Sequence, residues 1–172
     1  MRSTRARTRN LAVLELLNAP LLGWVFFIAL PTPRTLANVL GLGLVALLLV
    51  EGAAYWTLKH RQLTLRHRRP AGMGVFRVLA RLNPVALTAG LAIITAEAIR
   101  NPAAESIPGL AFWAFAALEY VNYFHVQLMH DTRADLRRLF RTRRPHRSHL
   151  NADLRAAARV APSARRLPPR AR

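Results

Sequence analysis

Apolar residues gather in four long stretches, at residues 11–30, 36–58, 78–99 and 109–129. At about 1.5 Å of rise per residue, each can cross a hydrocarbon core of about 30 Å. Backbone in lipid must satisfy its own hydrogen bonds, so each stretch is predicted to be a helix. The short proline-bearing connections at 31–35 and 100–108 close the first and second pairs of stretches into hairpins. The pattern therefore predicts an all-α integral membrane protein, a four-transmembrane-helix bundle over residues 11–130. Flanking it are a basic arm (1–10), a basic amphipathic segment (131–160) and a tail (161–172) without apolar periodicity, expected to be disordered. In 131–160, Leu136, Leu139 and Phe140 recur at helical spacing among arginines, and 151–160 reads as a short helix.

Some of the pattern recurs. Leu17-Asn18-Ala19-Pro20 in the first stretch is echoed by Leu82-Asn83-Pro84 in the third. Glu51, Tyr55 and Trp56 in the second are echoed by Glu119, Tyr123 and Phe124 in the fourth. Two hairpins repeated in one orientation would be related by an axis along the membrane normal, as in transporters that build a site at the repeat interface. Chance recurrence in apolar, low-complexity sequence accounts for the same matches.

Charge then orients the bundle. The formal net charge is +18, carried in the arm, in residues 59–69 and in the segment after the fourth stretch. The other two connections hold only Arg34 and Arg100. The positive-inside rule predicts a multi-pass protein with both termini and the middle loop in the cytoplasm. The first stretch is too long for a signal-peptide core, and Ile28-Ala29-Leu30 before Pro31 is a poor cleavage site, so it reads as a retained anchor. Lys59 is the only lysine, and alanine is abundant. That bias fits high-GC coding and a bacterial inner membrane.

The basic surfaces suit anionic lipid headgroups, at roughly 1 kcal/mol per residue near the surface. An acidic cytoplasmic protein is a second candidate partner, and a homo-oligomer is compatible with the same surfaces. Nucleic acid is disfavoured, because no aromatic residues interleave the basic ones. The absence of cysteine excludes disulfides and thiol catalysis. No Gly-rich phosphate loop, nucleophile elbow or His-Glu-x-x-His is present, and His146 with His149 is too little for a zinc site.

Candidate chemistry lies in the polar residues within the stretches. An ionisable residue at a span centre costs roughly 2.5–3.5 kcal/mol on insertion scales, so it needs a partner or a purpose. Glu51 and Tyr55 share one helix face, as do Glu119, Asn122 and Tyr123, with His125 at the edge of that stripe. The predicted ligand- or proton-binding residues are Glu51, Tyr55, Glu119, Asn122, Tyr123 and His125, supported by Glu15, Asn18 and Asn83. All fall between the midplane and the predicted cytoplasmic face, whereas Glu97 lies near the outer interface beside Arg100. Pro20 and Pro84 each free a backbone carbonyl one turn earlier, which a polar side chain can take up. Small residues at Gly41-Leu42-Gly43 and Gly52-Ala53-Ala54 permit close helix approach.

Several readings of this cluster stay open. One is interhelical hydrogen bonding alone, including a Glu15–Arg81 pair. The leading functional reading is an intramembrane pocket for binding or transporting a small ligand, proton or ion. The alternatives are a non-catalytic subunit that docks a partner through its basic tail, and a metal-dependent enzyme acting on a lipid. The sequence names no cofactor and no catalytic residue, and the Glu-x-x-His pairs that a di-metal bundle wants on two helices are absent.

Overall fold

The computed structural model describes residues 2–30, 32–126 and 147–160, and among these it is all-helical. The helices are α1 (Arg2–Trp24), α2 (Leu36–Leu65), α3 (Met73–Arg100), α4 (Ala103–Phe124) and α5 (His149–Val160). α1 runs on into a π-helical turn, Val25–Ala29, closed by the Leu30 N–H on the Val25 carbonyl (2.8 Å). Short connections make α1 to α4 an up-and-down bundle. The start of α1, the α2–α3 connection and the end of α4 meet at one end, the basic end. Leu136, Leu139, Phe140 and the tail 161–172 lie outside the described residues.

Among the described residues, three segments are long and apolar enough to cross a membrane: Thr4–Ala29, Leu36–Leu65 and Met73–Arg100. α4 has a comparable length at 22 residues, but Glu119, Asn122 and its tyrosines dilute its apolar run.

The helices overrun the apolar stretches that predict them, for local reasons. α1 starts inside the basic arm, where the Thr8 hydroxyl donates to the Arg5 carbonyl (3.0 Å) and meets His60 Nδ1 at 3.3 Å. α2 begins at a Thr35 N-cap, whose hydroxyl accepts the Asn38 N–H (3.3 Å). It continues to Leu65 and stops where Arg66 turns left-handed at φ 53°, a C-terminal signal more often carried by glycine. α4 starts directly after Asn101 and Pro102, so residues 103–108 are helix rather than loop.

α2 is the central helix, packing against α1, α3 and α4. Its crossing with α4 brings backbone close to backbone. The Asn38 carboxamide is fully buried there. Its Nδ2 donates to the carbonyls of Pro33 (2.8 Å) and Glu105 (2.9 Å), and its Oδ1 accepts the Gly109 N–H (2.7 Å). A Cβ on Gly109 would stand 2.5 Å from the Ala37 carbonyl oxygen, and one on Gly41 would collide with the Gly109 carbonyl. Only glycine admits this backbone approach.

The core has two parts. Leu44, Val45, Leu48, Leu49, Leu87, Phe112 and Ala116 fill the half away from the basic end. Tyr55, Met73, Phe76, Tyr123, Phe124 and Leu150 fill the basic end. Polar side chains separate the two.

Candidate functional site

The polar band starts between α2 and α3. Asn83 Nδ2 donates to Glu51 Oε2 at 2.7 Å, with both residues buried. The other carboxylate oxygen of Glu51 is buried without a partner among the described residues. Helical periodicity explains the pairing, since Glu51 continues the α2 face of Leu44 and Leu48 that meets Leu87 of α3.

A second polar group joins α1 to α4. The Tyr123 hydroxyl donates to Glu15 Oε1. Glu119, one turn before Tyr123, accepts from Asn122 Nδ2 (3.4 Å) and lies within interaction range of both Glu15 and the Tyr123 hydroxyl. Tyr123 takes this position because Gly52 of α2 leaves room for its ring; a Cβ there would overlap it. The Glu15–Arg81 pair does not form. α1 packs on α2 and reaches α4, while Arg81 is exposed on α3.

Below these carboxylates, at the basic end, a cavity of about 240 Å³ opens between α1, α2, α4 and the start of α5. Glu15, Tyr123 and Asn122 form its deep end, and Leu11, Leu63, Tyr55 and Trp56 its walls. Thr4, Arg7, Thr8, Lys59 and His149 surround its mouth. The apolar half of the core lies beyond Glu15 and Tyr123, farther from the basic end, and none of its buried residues lines the cavity.

α5 is held across this mouth. Asp153 accepts from the Tyr55 hydroxyl (2.8 Å) and pairs with Lys59 Nζ (2.8 and 3.1 Å). The residues that start α5 also cap α4. The Ser148 hydroxyl donates to the Tyr123 carbonyl (2.5 Å), and Asn151 Nδ2 to the Phe124 carbonyl (2.5 Å). These carbonyls belong to the last turn of α4, which has no intrahelical donors for them.

The structure thus gathers Glu15, Tyr55, Asn122 and Tyr123 at the cavity, with Glu119 behind them. Glu51 and Asn83 pair with each other away from it. Asn18 is exposed on α1. His125 is also exposed: α4 ends at Phe124, and the imidazole stands edge-on to Tyr120 with ring centroids 5.1 Å apart.

Thr8 and Lys59 line the cavity, and Asp153 joins it through Tyr55 and Lys59, although none of the three is a candidate site residue by sequence. Asp153 carried a signal, as the one acidic residue within 147–160. Among the described residues, no three His, Asp or Glu side chains converge to hold a metal ion. The arrangement suits a small guest with hydrogen-bond donors or positive charge at its inner end, facing Glu15. No family model, curated protein or solved structure matches this chain.

Proposed function

We propose that this is a membrane protein that binds a small ligand in a pocket open to the cytoplasm. In this reading α4 spans with the other three long helices, both termini are cytoplasmic, and the home is a bacterial inner membrane. Arginine-rich segments at the basic end support that orientation.

The observation that carries the reading is the cavity. Its deep end presents the Glu15 carboxylate, the Tyr123 hydroxyl and the Asn122 amide, and its walls are aromatic and aliphatic. A few convergent polar groups in a largely apolar recess are the usual makeup of a small-molecule site. Its volume of about 240 Å³ limits the guest to a compact molecule or to the polar end of a longer one. A donor or cationic group is favoured at the inner end, where a carboxylate and aromatic rings meet. Proton or ion movement along Glu119, Tyr123 and Glu15 is the form that transport would take.

Native mass spectrometry of the protein released from nanodiscs of the host membrane tests this reading. A stoichiometric adduct that Glu15→Gln and Tyr123→Phe lose, and Glu97→Gln keeps, is the expected result. A clean apo mass for the native chain, or an adduct indifferent to all three substitutions, contradicts it.

A further inference from the structure

α1 is the peripheral helix of the bundle, with none of its most apolar window buried. One face turns to the core, through Ala19, Leu22 and Phe26. Another carries Leu14, Leu17 and Leu21, each more than half exposed. Asn18 stands in the middle of that outer face, exposed and without a hydrogen bond to any described residue. Asn18 lies well inside the apolar stretch 11–30, on the side of its middle nearer the basic end. Once α1 is inserted, its carboxamide faces hydrocarbon with two donors and one acceptor unsatisfied, an expensive placement.

A partner helix removes that expense. Leu14, Asn18 and Leu21 follow the spacing of a left-handed helix–helix seam, in which one polar residue among leucines fixes register. A carboxamide is both donor and acceptor, so across a two-fold axis Asn18 complements its own copy. Asn83, the counterpart of Asn18 in the repeated Leu-Asn motif, is already satisfied by Glu51. Asn18 is the member of that pair left to find a partner outside the chain.

We infer that two copies of this chain pair through the outer face of α1, with the Asn18 carboxamides hydrogen-bonded across the two-fold axis. The inference rests on membrane insertion of α1 and is independent of the pocket.

The chain lacks cysteine, so single cysteines report cleanly on this face. Leu14→Cys and Leu21→Cys in proteoliposomes should cross-link to their own copies on mild oxidation. Val85→Cys, even more exposed but on α3, should not. Dimerisation measured by energy transfer between labelled copies should weaken roughly 3- to 10-fold in Asn18→Leu, the range for one or two interhelical hydrogen bonds. It should survive in Asn18→Gln and in Glu15→Gln, which perturbs the pocket alone. A monomer at every protein density, cross-linking through Val85→Cys instead, or undiminished pairing in Asn18→Leu would overturn the inference.

Discussion

The Tyr120 hydroxyl donates a 2.9 Å hydrogen bond to the Ala80 carbonyl, the group that Pro84 leaves without its helical donor. A proline in a helix interior removes the N–H that would serve the carbonyl four residues earlier. α4 supplies the missing donor to α3, which couples the kink-prone point of one helix to the packing of the next. Tyr120→Phe should therefore destabilise the bundle by about 1 kcal/mol. In a Pro84→Ala background, where the N–H returns, the same substitution should cost markedly less. Thermal unfolding of the four proteins in one detergent gives the coupling, and equal costs in both backgrounds would contradict the assignment.

The α2–α4 crossing predicts a contrast between two nearby glycines. Gly41→Ala places a methyl against the Gly109 carbonyl, so the helices must separate. Overpacking of this kind costs about 1–3 kcal/mol. A Cβ at Gly43 meets nothing within 4 Å, and Gly43→Ala should be neutral or slightly stabilising, since alanine is the better helix former. Equal destabilisation by the two would show that the helices do not approach at this point.

At the Glu51–Asn83 contact, shape and hydrogen bonding can be separated. Glu51→Gln keeps an acceptor for Asn83 and should change stability little. Asn83→Leu keeps the volume, removes the donor and leaves both carboxylate oxygens buried without partners. A loss of about 1–3 kcal/mol is expected, read from the same unfolding curves. A harmless Asn83→Leu would argue that these two side chains do not meet.

Asp153 holds α5 over the cavity mouth through Tyr55 and Lys59. Asp153→Ala should raise amide exchange in α5 by about tenfold, in line with about 1.5 kcal/mol for a hydrogen bond to a charged group. Exchange in the apolar half of α2 should stay unchanged. High salt should loosen the native α5 in the same direction, because the pair is partly exposed. Unaltered exchange in α5 would mean that Ser148 and Asn151 alone dock it.

How far the sequence foretells this arrangement depends on what each feature needs. The helices and the hairpin at 31–35 are legible because apolar length and proline act locally. So is the need of the Ala80 carbonyl for a donor, which Pro84 announces, although not that Tyr120 meets it. Asn18 and Asn83 stand in near-identical motifs, yet one is exposed and the other buried. Only the neighbours of α1 and α3 decide between them. His125 illustrates a boundary effect. Its place beside Asn122 assumes a helix continuing to 129, and the end of α4 at Phe124 turns it outward. Asp153 stands out as the one acidic residue of its segment, but its partners do not, since Lys59 and Tyr55 lie 94 and 98 positions away and meet it only when α5 docks.

If the cavity is a pocket reached from the basic end, single cysteines in the Cys-free chain should report its accessibility. Leu11→Cys lines the cavity, whereas Leu48→Cys lies in the apolar half of the core. In inside-out membrane vesicles, a membrane-impermeant maleimide should label Leu11→Cys and spare Leu48→Cys. In right-side-out vesicles it should label neither. Labelling of Leu48→Cys from either side, or of Leu11→Cys from the outside alone, would rule out a pocket reached from the basic end.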